Sequence, residues 1–476
     1  MNPLDTDPND VINQINQLFQ AQASTALQLR QSTAKQRIEK IKRIKSAILA
    51  HKAEIIQAGF DDFSKPATEV ELTEILPIIA EANEAIRHLK GWMKKQRVWP
   101  SRMMLGTRGY IQFEPKGRSL IISPWNYPFN LTFGPLISAI AAGNTAMIKP
   151  SEMTPCAAAL MAKIIEQCFH EDEVALFQGQ ADISQALLAL PFDHIFFTGS
   201  PNIGKVVMAA AAKHLSSVTL ELGGKSPTII DESADLTLAA QTTLWAKFTN
   251  NGQTCIAPDH IYVHQNVKAA FLEECKKILV RTYGTEENQI KSPDLARICN
   301  ARHLDRLEFL LDDAIQRGAT VVTGGQIKPE LRYIAPTLLD NLPDDAAIMQ
   351  EEIFGPLLPI ISFNSINEVI QRINAAPKPL ALYIWGRNST NIDKVMQQTS
   401  SGGACINHSV VQFLHGNLPF GGVNNSGLGN SHGYYGFLAF SHSRAVVRNS
   451  IMLAKMFFPP YRSFTRKLIN FFMKMV

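Results

Sequence analysis

Cys255 stands in Asn251-Gly-Gln-Thr-Cys255-Ile-Ala-Pro258, a polar setting rich in turn-forming residues. A structural cysteine normally sits among apolar neighbours, whereas a loop cysteine whose pKa is lowered becomes a thiolate nucleophile. Glu221 closes an apolar stretch in Thr219-Leu-Glu221-Leu-Gly-Gly-Lys225. Desolvated at the edge of a sheet, its carboxyl would rise in pKa and suit general-base work; the plainer alternative pairs it with Lys225. A cysteine and a carboxylate without an evident histidine partner point to a covalent thioester hydrolysed by carboxylate-activated water. Asn126 lies in Ser123-Pro-Trp-Asn126-Tyr-Pro-Phe-Asn130, a loop stiffened by two prolines. Its amide there is either a preorganised donor for an oxyanion or a cap for its own turn.

Other stretches suit a nucleotide. The apolar run Ile195–Phe197 leads into Thr198-Gly199-Ser200-Pro201-Asn-Ile-Gly204-Lys205. Ser200 is a good N-cap and Pro201 a good first helical residue, so a helix N-terminus opens behind a strand and can bind an anion. The glycine spacing is not GxGxxG, so this stretch is weak as a dinucleotide motif. Lys149 and Glu152 follow another apolar run and offer a donor and an acceptor for ribose hydroxyls. Glu352 and Phe354, in Glu351-Glu352-Ile-Phe354-Gly-Pro356, share a side if extended and suit a second ribose and a nicotinamide ring. His408, His415, His432 and His442 match no ligand spacing, so no metal is expected, and they read as surface or core residues.

These residues need a frame. Short apolar runs at Leu120–Ile122, Ala146–Ile148, Ala175–Phe177, Ile195–Phe197 and Val218–Leu220 alternate with helical patterns such as Ala157–Phe169 and Ile203–Leu215. That rhythm predicts a parallel sheet covered by helices, with ligands beyond the carboxyl ends of the strands. A second α/β run has strands expected at Pro227–Ile230, Ile261–His264, Thr320–Thr323, Leu358–Ser362 and Ala381–Trp385. Residues near 10–98 read as helices, with Ile38, Ile41, Ile44, Ile48 and Ile55 at helical spacing. The Gly- and Asn-rich stretch Pro419–Gly436 reads as a turn-rich wall of the site.

With 476 residues, 46 % of them hydrophobic and 18 % charged, the chain suits two large or three average globular domains. A net charge of +4 argues against a nucleic-acid partner. No apolar run reaches the roughly 20 residues of a membrane span. The acidic start MNPLDTDPND is unlike a secretory signal, and six scattered cysteines suggest free thiols; together these make a cytoplasmic location the expectation.

In order and spacing, the stretches PWNYPFNLT (124–132), KPSE (149–152), FTGSPNIGK (197–205), LELGGKSP (220–227), GQTCIAPD (252–259), EEIFGP (351–356) and PFGG (419–422) resemble the aldehyde dehydrogenase superfamily from roughly residue 15 to 450. The Lys205–Leu215 and Lys378–Tyr383 stretches are similar to its class 3 branch, which includes fatty and aromatic aldehyde dehydrogenases. The resemblance implies an α/β fold with a Rossmann-type cofactor domain (1–99 and 119–221), an α/β catalytic domain (222–404) and small β bridging or oligomerisation segments (100–118 and 405–450). It implies a homodimer. It also implies that Cys255 attacks an aldehyde, that Asn126 and the Cys255 N–H hold the oxyanion, and that Glu221 activates water. Lys149 and Glu152 would hold the adenosine ribose, with Gly199, Ser200 and Gly204 in the cofactor loop and Glu352 and Phe354 at the nicotinamide half. NAD is favoured because Glu152 should repel a 2′-phosphate, with NADP the alternative that Lys149 would tolerate.

Tyr127, Trp245, Phe248 and Thr254 are placed in sequence to line a funnel to Cys255, and aromatic walls favour an apolar aldehyde, aliphatic or coniferyl-like. The tail, 451–476, is basic and amphipathic. Phe464, Leu468, Phe471, Phe472 and Met475 share one helical side, and Arg466, Lys467 and Lys474 the other. It suits peripheral contact with the inner face of a membrane, or docking on the protein or its dimer partner. Two rival readings are a coenzyme A-acylating dehydrogenase, which would lack a water-activating Glu221, and a non-catalytic protein on the same scaffold.

Overall fold

The computed structural model describes residues 8–475 apart from 102, 103, 105, 450–454 and 456. The amino-terminal part is a helical layer built from Pro8–Leu29, Ala34–Ala50, Lys52–Phe63, Ala67–Val70 and Leu76–Trp92, with a π-helical turn at Glu71–Ile75. Ile41, Ile44 and Ile48 recur every three or four residues on one face of their helix and are fully buried against the first core. Thr33 closes the start of that helix with a capping box to Gln36.

A six-stranded sheet follows, in the order Gly427–Leu428, Ser217–Leu222, His194–Gly199, Arg118–Ile122, Thr145–Lys149, Val174–Leu176. All its pairings are parallel except that of the two-residue edge strand 427–428. Chain order runs outward in both directions from Arg118–Ile122. The topological switch point, where a ligand crevice is expected, therefore lies between strands 118–122 and 194–199. The expected strand Ala175–Phe177 is shifted by one residue, to Val174–Leu176.

The second sheet has seven strands, in the order Thr320–Thr323, Thr337–Asp340, Leu357–Phe363, His260–His264, Pro227–Ile230, Ala381–Trp385, Gly403–Ile406. A third sheet joins Gln96–Val98, Thr107–Pro115 and Ser441–Asn449 in antiparallel register. Residues 405–450, expected to act as one bridging segment, are thus divided. Residues 405–406 complete the seven-stranded sheet, 427–428 pair beside Glu221 in the six-stranded sheet, and only 441–449 enter the three-stranded one. The Gly-rich turns let this segment pass between sheets, and neither two-residue insertion carries a periodic signal.

The tail forms the helix Ser463–Met475, about 20 Å long at 1.5 Å per residue. Phe464, Phe471 and Met473 are 62 %, 57 % and 66 % exposed. The side chain of Met475 lies outside the described residues. Among the described residues no helix is long and apolar enough to cross a membrane.

Candidate active site

The crevice at the switch point is walled by the loops that leave three neighbouring strands. Strand 118–122 delivers Pro124–Asn126, strand 194–199 delivers Thr198–Ser200, and strand 217–222 delivers Glu221–Gly223. Ser200 caps the helix Pro201–Ala212, whose N-terminus opens toward this space. Thr198 Oγ1 and Glu221 Oε2 are buried without a protein partner. A Cβ at Gly223 would crowd the Glu352 carboxylate, which lies directly against this turn. Phe354 and Trp125 line the same crevice and pack edge-to-face, with ring centroids 5.5 Å apart. A helix N-terminus for phosphates, unpaired polar atoms for hydroxyls and aromatic faces for a ring together fit a dinucleotide.

Cys255 sits on this crevice, half-buried. The chain reaches it through three successive left-handed residues, Asn250 (φ 51°), Asn251 (φ 52°) and Gly252 (φ 77°). Asparagine and glycine tolerate that region best. A side chain at 252 would strike the Gly355 carbonyl, so the nucleophile loop is seated directly on the loop that carries Glu352 and Phe354. Burial, then the nearby carboxyls of Glu352 and Glu221, push the Cys255 thiol up to about 12, against the N–H groups of Cys255 and Ile256, which favour the thiolate.

Asn126 is buried beside it. Its Nδ2 donates to the Gln253 carbonyl at 3.0 Å, which ties the amide to the nucleophile loop rather than to its own turn. Glu221 Oε1 accepts from Ser431 Oγ at 2.9 Å, and burial pushes this carboxyl up to about 8. The alternative pairing with Lys225 does not occur. Lys225 instead reaches Asp259 Oδ2 at 2.6 Å and the carbonyls of Ile348 and Glu351, both at 2.8 Å, which holds the Glu352 loop in place. Arg306 supports the same loop through the carbonyls of Glu352 and Ile353. Glu352 is also pushed up to about 8 by burial.

The other expected cofactor residues divide. Gly199, Ser200, Glu352 and Phe354 line the crevice. Lys149 and Glu152 flank it at the end of the next strand, where Lys149 Nζ donates to the Pro150 carbonyl at 2.7 Å and meets Glu152 Oε2 at 3.3 Å. Gly204 does not line it. That glycine is buried one turn into its helix, and a Cβ there would meet Leu222 at 2.9 Å, so its task is to let the helix pack on the strand.

A second opening also reaches Cys255. This funnel is walled by Tyr127, Trp245, Thr254, Leu131, Val410 and Phe413 among others, and Cys255 lines both spaces. The Tyr127 hydroxyl and Thr254 Oγ1 share a hydrogen bond that fixes the wall near the nucleophile. Phe248, expected in this wall, is absent from it. Its ring is 0 % exposed and packs edge-on against Tyr283. Trp245, Ala246 and Thr249 take the funnel side of the helix Leu236–Phe248 and its continuation, while Leu244 and Phe248, one turn apart, face the core. His432, which reads from sequence as a scattered histidine, faces the funnel, its Nδ1 3.5 Å from Glu81 Oε2. Sequence reasoning also missed Thr198, His303 and Arg306 in the crevice and Leu72, Leu76 and Leu414 in the funnel; Thr198 stands inside the 197–205 stretch without a role of its own there, and the other five stand in no motif with a chemical signature.

Comparison with known proteins agrees with this geometry. The model of a family described as "Aldehyde dehydrogenase family" matches residues 7–446. The chain is 42 % identical over 437 residues to 4,4'-diaponeurosporen-aldehyde dehydrogenase of Staphylococcus aureus, covering 92 % of this chain and 94 % of that protein. It is 40 % identical over 427 residues to mouse aldehyde dehydrogenase family 3 member A2, covering 89 % and 87 %. Among solved structures, the substrate-bound state of Staphylococcus aureus AldH superposes with a TM-score of 0.91 at 41 % identity, covering 96 % of this chain and 99 % of that one.

Proposed function

Because the chain belongs to the aldehyde dehydrogenase family, and is thereby an NAD(P)-dependent oxidoreductase, we propose that it oxidises apolar aldehydes to carboxylic acids through a thioester on Cys255. One observation carries the reading: a single sulfur is shared by an apolar funnel and a dinucleotide-shaped crevice, with a buried amide and a buried carboxyl beside it. Cys255 Sγ, its proton released to solvent, adds to the carbonyl carbon, and Asn126 Nδ2 with the Cys255 N–H donates to the oxygen as it gains charge. Bound in the crevice, the nicotinamide dinucleotide supplies the hydride acceptor for conversion of that adduct to the thioester. Glu221 then takes a proton from water, the water oxygen attacks the thioester carbon, and the acid departs as the thiol is restored.

Ser200 and the helix behind it suit the pyrophosphate, Lys149 and Glu152 the adenosine ribose, and Glu352 and Phe354 the nicotinamide half. Glu152 favours NAD over NADP by charge. Among the described residues that wall the funnel there is no lysine or arginine, which disfavours an aldehyde that carries a second carboxylate. Retention of Glu221 argues against obligatory transfer to coenzyme A. The test is a panel of straight-chain, aromatic and carboxylate-bearing aldehydes with NAD and with NADP, read by absorbance of the reduced cofactor. At about 0.8 kcal/mol per buried methylene, kcat/KM should rise roughly three- to fourfold per carbon until the funnel is filled. Free acid should appear without coenzyme A. Equal rates on a short carboxylate-bearing aldehyde would count against the apolar assignment.

The tail reading is peripheral binding to an anionic membrane surface. Its support is the exposed Phe464 and Phe471 on one side of helix 463–475, with Arg466, Lys467 and Lys474 on the other. Each basic group near such a surface contributes about 1 kcal/mol. The whole chain should sediment with anionic vesicles at low salt, and a chain ending at residue 459 should not; equal sedimentation of the two would reject the tail as the contact. A homodimer is the expected assembly, supported by the outer edge of strand 441–449, which pairs with no further strand among the described residues, and light scattering reads its mass directly.

A further inference from the structure

We propose that Lys65 is the positioning residue of the oxyanion donor, clamping the backbone of Asn126 from behind the site; the assignment rests on the role given to Asn126 above. Lys65 follows Ser64, whose left-handed conformation (φ 49°) ends the helix Lys52–Phe63, and precedes Pro66 at the start of the next helix. The sharp turn between the two helices sends the lysine side chain inward, where it is fully buried. Its Nζ donates to the Asn126 carbonyl at 3.0 Å and to Glu74 Oε1 at 3.2 Å, and lies 4.4 Å from the centre of the Tyr127 ring. Every one of these partners is part of the Asn126 loop or supports it. Glu74, from the π-helical turn Glu71–Ile75, uses its other oxygen to accept from the Asn130 N–H at 2.9 Å. The ion pair therefore grips the loop at both ends, at 126 and at 130.

The same carbonyl that Lys65 holds also accepts from Asn250 Nδ2 at 2.9 Å, and Asn250 Nδ2 donates in turn to the Gln253 carbonyl at 3.1 Å. Asn126 Nδ2 meets that Gln253 carbonyl as well. Backbone and side chain of Asn126 are thus registered against the strand of chain that ends in Cys255. A buried cation is a costly element to retain, and this one touches no space open to substrate or cofactor. What it governs is where the Asn126 amide points relative to the sulfur. Misplacement of a catalytic group by about 1 Å costs on the order of 10²-fold.

The test is a double-mutant cycle between Lys65→Met and Asn126→Ala, with kcat taken from steady-state reduction of NAD. K65M alone should lower kcat by about 10²-fold, whereas in the N126A background it should cost less than threefold. NAD affinity and the alkylation rate of Cys255 by iodoacetamide should stay within twofold of the parent enzyme. A cost in the N126A background equal to that in wild type overturns the assignment to Lys65 alone. So does a tenfold change in NAD affinity or alkylation, which would mark Lys65 as general scaffolding. An N126A enzyme with wild-type kcat overturns both the oxyanion role of Asn126 and this assignment. If K65M does not fold, Lys65→Arg, which keeps the charge and donors in a different shape, enters the same cycle under the same criteria.

Discussion

Cys255→Ala should lower turnover by at least about 10⁴-fold while NAD still binds, because removing a covalent nucleophile leaves only the binding and oxyanion contributions. Binding is measurable separately, since Trp125 lines the crevice and its fluorescence should respond to the dinucleotide in both wild type and variant. Turnover of the variant within tenfold of wild type would mean that another group makes the bond to carbon. The wild-type sulfur has a further signature. With its thiol pushed up to about 12, first by burial and then by Glu352 and Glu221, the thiolate fraction of the free enzyme is small at neutral pH. It grows about tenfold per pH unit. Alkylation of Cys255 should therefore accelerate steadily from pH 7 to pH 10 without a plateau. A plateau near pH 7 would show a thiolate stabilised before any ligand arrives.

Much of this site was legible because its chemistry sits on loops that directly follow strands. Asn126, Ser200 and Glu221 each come one to four residues after, or at the end of, a short apolar run, and periodicity alone locates such runs. The parallel sheet then carries all three to one edge. Helical phase was harder to read. Trp245 and Phe248 are three residues apart on one helix, and which of them meets the funnel depends on the helix Lys268–Tyr283 packing behind, information that no local window contains. Gly204 misled for a related reason: a glycine that permits close packing and one that admits a phosphate look alike until the neighbouring Leu222 is known. Lys65 and His432 were invisible as functional positions. A lysine between helices normally points to solvent, and only the turn at Ser64 sends this one inward. His432 depends on Glu81, 351 residues away in the chain, for its placement.

Glu221→Gln should separate the two halves of the reaction. Nothing in the formation of the thioester asks Glu221 to take a proton from water, so the variant should still give a rapid burst of reduced cofactor of about one equivalent per site. Hydrolysis should then slow by about 10³-fold, within the 10²–10⁴-fold range of general-base catalysis. The pH profile supplies the sign. A base acts as its carboxylate, and burial pushes this carboxyl up to about 8 because Ser431 donates only one hydrogen bond to it and Oε2 has no protein partner. The hydrolytic rate should accordingly rise with pH through about 8 and level off above it, losing roughly tenfold per unit on the acid side. Glu352 is pushed to about the same value, so wild type alone cannot assign that limb. The variant can, because its residual hydrolysis should lose the rise if Glu221 is the base and keep it if Glu352 is. Stopped-flow absorbance from pH 6 to pH 10 reads burst and steady state in one experiment. An E221Q enzyme that shows no burst would place Glu221 in the thiol's own activation, with the carboxylate taking the proton from Cys255 before the carbonyl is attacked.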